Sequence, residues 1–327
     1  MIQIKNLNIT YKIYKKEPGL VSSIKGIFKR KYEYVEALKC INLNIDKGEI
    51  VGLIGTNGAG KTTLLKSISG LLYPTSGEIF VNGFIPKERK NEFKKKISLV
   101  MGQRSQLIWD IAPIETFILN RDIYGINNDY FNNKLDELTK ILDVGHCLQT
   151  PVRQLSLGER MKMELIAALI HDPKILYLDE PTIGLDLKSQ MSLRNFIKDY
   201  ASKNEVTIII TSHYMEDIVS LCDRVVMINS GTILFDGKLN DLYSFKSNYK
   251  YISVETEQEV IEEITDKIAS YELIGNIYKI KTTEDNVNDI IIKLIGTNKI
   301  KNLEIINQPI EEIILGLLEE GDAKVND

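Results

Sequence analysis

Gly55-Thr56-Asn57-Gly58-Ala59-Gly60-Lys61-Thr62-Thr63 decides how this chain is read. It is a complete G-x-x-x-x-G-K-T phosphate loop. In such a loop the glycines let backbone N–H groups wrap phosphate oxygens, the lysine neutralises the β and γ oxygens, and the threonine hydroxyl meets Mg²⁺. The flanks have matching character. Glu49 to Ile54 reads as a buried strand entering the loop, and Thr63 to Ile68 as a helix leaving it. The implied ligand is a nucleoside triphosphate.

A chain of 327 residues has room for two domains, one larger than the other, and for a sizeable core. Lys plus Arg number 41 against 45 Asp plus Glu, a net charge of −4, so the chain as a whole carries no nucleic-acid footprint. Cys40, Cys147 and Cys222 are isolated and lack metal-ligand spacing, which reads as reduced thiols of a cytosolic protein. Met1 to Lys5 alternates like a strand, without the apolar stretch of a signal peptide. No apolar run approaches the ~20 residues of a membrane helix. Any membrane association is therefore expected through a partner.

Outward from the loop, residues 2–13 alternate apolar and polar, and residues 41–54 give further strands around the Asp46-Lys47-Gly48-Glu49 turn. From about Gln103 to Asp172 the pattern becomes helical, with Leu135, Leu138, Ile141 and Leu142 on one face. Strands return at 175–179, 206–211 and 224–229, and Gly231, Asp236 and Gly237 punctuate a last hairpin. A mostly parallel sheet with an inserted helical lobe is expected. Residues 14–34 form an insertion. Its apolar positions Leu20, Val21, Ile24, Ile27 and Phe28 share a helical face, and Lys25, Lys29, Arg30 and Lys31 supply charge. Such a helix suits an anionic surface or a partner, and a solvated excursion is as ordinary. Beyond about Ser244 the composition shifts to Lys, Glu, Asn and Ile. Strands are predicted at 250–254 and 276–281, and helices at 257–268, 287–294 and 309–319. This reads as a structural cap or, alternatively, a sensing element.

Three further segments narrow the class. Leu155-Ser156-Leu157-Gly158-Glu159 precedes an apolar helix, and Ile175 to Glu180 is an apolar strand ending in two carboxylates. His213 follows the apolar run Val206 to Ser212. In this order and spacing the set resembles the ATP-binding cassette (ABC) family over about residues 1 to 240: Walker A, signature, Walker B with its adjoining glutamate, and switch histidine. The resemblance implies an α/β fold, a P-loop NTPase of ABC type. It would have a RecA-like core, an N-terminal antiparallel β region and a helical lobe at about 103–172. The cassette would span 1–243, followed by an α+β appendage over 244–327.

The resemblance also assigns roles. Gly55 to Thr63, with Lys61, would hold ATP. Thr62, Gln103 and Asp179 would hold Mg²⁺, and Asp179 closes a buried strand from which a carboxylate can reach the ion. Glu180 would polarise the attacking water, and His213 would contact the γ-phosphate. Tyr11 would stack on adenine, although Tyr11 also reads simply as a strand-face aromatic. Ser156 and Gly158 open a helix whose amides can bind the γ-phosphate held by a second subunit, and Ser156 to Glu159 is at once an S-x-x-E capping box. The usual LSGGQ wording is changed at Leu157 and Glu159. Asp186, in Gly184-Leu185-Asp186, belongs to the loop that would cross the dimer interface. His146 and His171 read as structural.

The implied protein is the cytoplasmic ATPase subunit of an ABC transporter, peripheral on the inner face of the membrane and using ATP and Mg²⁺. Its partners would be a separately encoded transmembrane permease and a second ATPase subunit, a homodimer being the expectation and a heterodimer the alternative; no nucleic acid is expected. The wording at Met101 to Leu107 and Leu155 to Arg160 most resembles type-2 exporter ATPases. Two alternatives stand beside it: a soluble ABC ATPase acting on nucleic acid or ribosomes, and a regulatory ATPase without transport.

Overall fold

The computed structural model describes residues 1–14, 32–102, 105–246, 249–256, 261, 264–296 and 300–317. The chain falls into two compact units, one from Met1 to Gly237 and one beginning at Lys238.

In the first unit, β1 (Ile2–Tyr14), β2 (Tyr32–Ile45) and β4 (Ser76–Val81) form an antiparallel sheet with β1 in the middle. A six-stranded sheet has the order β5-β6-β7-β3-β8-β9, from β5 (Ile97–Met101), β6 (Ile175–Asp179), β7 (Thr207–Thr211), β3 (Ile50–Ile54), β8 (Arg224–Asn229) and β9 (Thr232–Lys238). Its pairings from β5 through β8 are parallel. Helix α1 (Lys61–Ile68) lies between the two sheets. It buries Leu64, Leu65 and Ile68 in one cluster with Ile2, Ile4, Leu7 and Ile9 of β1, Val51 and Leu53 of β3, and Tyr177 of β6. Eight residues are fewer than an isolated helix needs to hold together in water. Packing on both sides therefore fixes α1, and with it the loop that precedes it.

After the short helix α2 (Asn91–Lys94), the helical lobe contains α3 (Pro113–Tyr124), α4 (Asn128–Leu142) and α5 (Leu157–Leu169). Local chemistry sets their ends. Pro113 opens α3, Gly125 closes it at φ 67°, and the Asn127 side chain caps α4. Two more helices, α6 (Leu187–Asn204) and α7 (Met215–Leu221), follow β6 and β7.

The ends of the 14–34 segment differ from the insertion expected there. Tyr14 pairs with Tyr32, Ile13 with Glu33 and Lys12 with Tyr34, so the β1–β2 ladder runs into it from both sides. The remainder, including the amphipathic-helix reading, lies outside the described residues.

The second unit has helix α8 (Leu239–Lys246) and an antiparallel sheet ordered β11-β12-β10-β13. Its strands are β10 (Tyr249–Thr256), β11 (Ser270–Ile274), β12 (Ile277–Thr283) and β13 (Ile300–Asn307). Helix α9 (Val287–Gly296) packs Val287, Ile290 and Leu294 on Ile252, Val254 and Ile280, and α10 spans 310–317. Two predictions need correcting. Of the helix expected over 257–268, the described part holds only a 3₁₀ turn at Thr265–Lys267. Strands β11 and β13 went unanticipated because their residues are mostly exposed, so no inside–outside alternation marks them.

Candidate active site

The order β6-β7-β3 places three strand ends side by side. In open α/β sheets the crevice beyond the C-terminal strand ends is where ligands bind. Here β3 delivers the phosphate loop, β6 delivers Asp179 and Glu180, and β7 delivers Thr211, Ser212 and His213.

The loop turns where only glycine fits. Gly60 has φ 115°, and a Cβ there would stand 2.8 Å from the Ala37 carbonyl oxygen; a Cβ on Gly55 would meet the Ile228 carbonyl at 2.1 Å. Lys61 opens α1, and its ammonium donates to the carbonyls of Gly55 (2.7 Å) and Thr56 (3.0 Å). Burial pulls its pKa below the ordinary lysine value, opposed by the negative charges of Glu180 and Asp179. Thr56, Asn57, Gly58, Gly60, Lys61, Thr62, Thr63 and Glu180 line one open cleft.

Asp179 is buried at the end of β6. It accepts from Thr211 Oγ1 at 2.7 Å and lies 3.1 Å from Thr62 Oγ1. The next residue turns away: Glu180 has φ 56°, costly for a residue with a Cβ. Its N–H is held by Thr211, at 3.1 Å to the carbonyl and 3.0 Å to the hydroxyl, and Gly102 is packed against its carbonyl, where a Cβ would come to 2.2 Å. The reversal sends consecutive carboxylates to different partners, Asp179 to Thr62 and Glu180 to His213, whose Nε2 is 2.7 Å from Glu180 Oε1. Glu180 Oε2 is buried and has no hydrogen-bond partner among the described residues. Thr62 and Asp179 form an oxygen donor set of the kind a hard divalent cation takes.

Tyr11 stands in β1 with its hydroxyl 3.3 Å from Thr63 Oγ1, beside the start of α1. Gln103 lies outside the described residues. Ser156, Gly158 and Asp186 are not among the residues lining the phosphate-loop cleft; Gly158 and Asp186 both lie against Ser189. Ser156 caps α5, Glu159 closes the capping box on its N–H (2.9 Å), and Asp186 caps α6 and accepts from Ser189 Oγ at 2.6 Å. A Cβ on Gly158 would stand 2.7 Å from that Ser189 oxygen, so the starts of α5 and α6 are in close contact. Hydrogen bonding from Ser156 holds the Glu159 carboxyl down at about 2.

Two buried groups that support the site were not singled out in the sequence. Asp217, fully buried on α7, accepts from Ser212 Oγ beside His213, from Thr182 Oγ1 after Glu180, and from Arg194 of α6. Glu164 of α5 accepts from the Ser105 hydroxyl and from the N–H groups of Gln106 and Leu107, just past Gln103. Burial pushes its carboxyl above the usual range. Each is a lone acid in a helix pattern, so only the fold reveals its partners. His171, by contrast, is the structural residue expected: it donates to the Ile97 carbonyl at 3.2 Å and stacks on Tyr124 at 3.9 Å.

A phosphate loop at the head of α1, faced by two carboxylates at the end of a parallel strand, defines a nucleoside-triphosphate-binding protein. The "ABC transporter" family model matches residues 38–183. The chain is 36% identical to the ABC transporter ATP-binding protein NatA of Bacillus subtilis, over 69% of this chain and 93% of that protein. It is 30% identical to the bacitracin transport ATP-binding protein BcrA of Bacillus licheniformis, over 78% and 91%. A dimeric ATP-binding cassette solved in a post-hydrolysis state with ADP and Pi aligns with a TM-score of 0.61 at 25% identity, over 73% of this chain and 99% of that one. The chain therefore belongs to the ABC transporter family. It is an ATP-binding, ATP-hydrolysing subunit of such a transporter, a class that dimerises and works with transmembrane components. The nucleic-acid and ribosome alternative is not favoured by these relatives. Among the described residues no helix is long and apolar enough to cross a membrane.

Proposed function

We propose that this chain hydrolyses ATP with Mg²⁺ in a head-to-tail dimer, preferably a homodimer, and thereby drives a separately encoded permease, with export as the preferred direction. The observation that carries the chemical part is the divergence of Asp179 and Glu180 around one cleft, the first toward Thr62 and the second toward His213. Lys61 and the loop amides bind the β and γ oxygens. Thr62 and Asp179, with Gln103, would hold the Mg²⁺, which supplies charge neutralisation as the γ-phosphate departs. Glu180 orients and polarises the attacking water, and His213 keeps that carboxylate aimed. Tyr11, beside Thr63, offers a ring for adenine. Ser156, Gly158 and Asp186 lie outside the cleft, which supports a role at the site of a second subunit rather than their own.

The preference for export rests on the wording of the signature and of the 101–107 segment. The likeness to BcrA, whose name describes bacitracin transport, supports a transport role. A permease at the membrane would place the chain peripherally on the inner face. The 244–327 appendage is proposed to have a structural or dimer-stabilising role.

The test is complementation. Ser156→Arg and Lys61→Ala are each expected to abolish hydrolysis. Mixed, they form one composite site with an intact Lys61 and an intact Ser156, and part of the turnover returns. No recovery in the mixture overturns the head-to-tail pairing, and parental turnover in Ser156→Arg alone reduces the signature to a helix cap.

A further inference from the structure

The turn before the signature helix carries a cluster that the nucleotide chemistry does not use. His146 and Cys147 sit in the 3₁₀ turn Gly145–Cys147, and Glu159 faces them from the first turn of α5. Nothing in the spacing of the three cysteines marked this, because the third group comes from 12 residues away in the chain and from another element. Glu159 Oε1 lies 3.4 Å from His146 Nε2 and 3.2 Å from Cys147 Sγ, and all three atoms fall within 4.8 Å of one another. Among the described residues no other three metal-ligating side chains converge in this way.

We propose that Cys147 Sγ, His146 Nε2 and Glu159 Oε1 form a binding site for a soft divalent transition metal, with Zn²⁺ as the fitting ion. Bonds of about 2.3 Å to sulfur and about 2.0–2.1 Å to nitrogen and oxygen, at tetrahedral angles, separate O from N by about 3.3 Å and O from S by about 3.5 Å. The observed O–N and O–S separations, 3.4 and 3.2 Å, are within a few tenths of an ångström of these, and the N–S pair lies within 4.8 Å. The donor set of one thiolate, one imidazole and one carboxylate suits Zn²⁺ over Mg²⁺ or Ca²⁺. The second shell is already built: the other Glu159 oxygen accepts from Ser156 N–H at 2.9 Å and Ser156 Oγ at 2.7 Å, which fixes the orientation of the ligating one. Cys147 is buried and His146 is exposed, so the ion enters from the imidazole side and a fourth position stays open to water. A cysteine binds such an ion as its thiolate, so binding releases the thiol proton. An ion there would tie the signature helix to the turn that precedes it through the same carboxylate that caps Ser156.

The experiment uses the chelator-stripped full chain without nucleotide, to keep metal off the phosphate-loop site. Zn²⁺ retained through gel filtration is measured by elemental analysis, and Co²⁺ is titrated with its near-ultraviolet thiolate band as readout. The wild-type chain is expected to retain about one equivalent of Zn²⁺ and to develop the band, with release of about one proton. Cys147→Ser should lose both. His146→Ala should bind at least about tenfold more weakly, since even outer-shell changes cost about 10–100-fold. A wild-type chain that neither retains Zn²⁺ nor shows the band overturns the proposal, as does an undiminished signal in Cys147→Ser. Should Cys147→Ser fail to bind ATP and so prove misfolded, unchanged metal affinity in His146→Ala, an exposed position, overturns it equally.

Discussion

Glu180 Oε1 and His213 Nε2 lie 2.7 Å apart, joining the residue after one strand to the second residue after its neighbour. The other oxygen of the same carboxylate, Oε2, is buried without a hydrogen-bond partner among the described residues. Glutamine in place of Glu180 keeps the shape and one acceptor but loses the charge proposed to polarise water. Glu180→Gln is expected to lower turnover by about 10²–10⁴-fold while ATP affinity stays near the parental value. Turnover and nucleotide titration on one preparation check this. Hydrolysis at the parental rate would remove Glu180 from the chemistry.

Lys61 is the only cation among the described residues lining the phosphate-loop cleft. Lys61→Ala removes a charged donor worth about 1.5–3 kcal/mol. ATP affinity is expected to fall by about 10- to 100-fold. Calorimetric titration reads the change, and an unchanged affinity contradicts the assignment of the loop.

Glu164 gathers three donors from Ser105, Gln106 and Leu107. Truncation to alanine strands them in a partly buried place at about 1–3 kcal/mol for a buried unsatisfied group. Glu164→Ala is expected to lose roughly 2–4 kcal/mol of stability in urea unfolding and to loosen the segment just past Gln103, read as faster amide exchange at Gln106 and Leu107. Unaltered exchange there would mean that the carboxylate does not hold the loop.

His171 makes stability depend on pH. Burial lowers its pKa from 6.5 to about 4 in the folded chain. Between those values the unfolded chain binds the extra proton and the folded chain does not. The contribution is fully present above about pH 6.5 and is lost as pH falls toward about 4, to a total of about 3 kcal/mol at 1.36 kcal/mol per unit. In His171→Phe that part of the slope is expected to vanish. Denaturant midpoints of both proteins at pH 7, 6, 5 and 4.5 decide it, and parallel curves would refute the assignment.

The phosphate loop, Asp179, Glu180 and His213 were all readable in the chain. Each sits at a fixed offset from a strand whose unbroken apolar run marks it as buried on both faces, as Ile175 to Asp179 shows. Sequence patterning also indicated the inserted helical lobe and the Ser156 capping box, whose partners lie within three residues of each other; the Asn127 cap of α4 was not singled out. It failed where exposure erases alternation, at β11 and β13.

Tertiary structure decided everything that depends on two distant segments meeting. The pairing of Asp179 with Thr211 across parallel strands supplies a hydroxyl that fixes Asp179, and the chain turns at Glu180 through a positive φ. The same holds for Asp217 bonded to Ser212 beside His213, for Glu164 at the 105–107 loop, and for Glu159 brought to His146 and Cys147. An acid in a helix looks alike in the sequence whether it meets solvent or a buried donor. Its partner is chosen by how the helices pack, and that depends on the whole core rather than on the residues beside it.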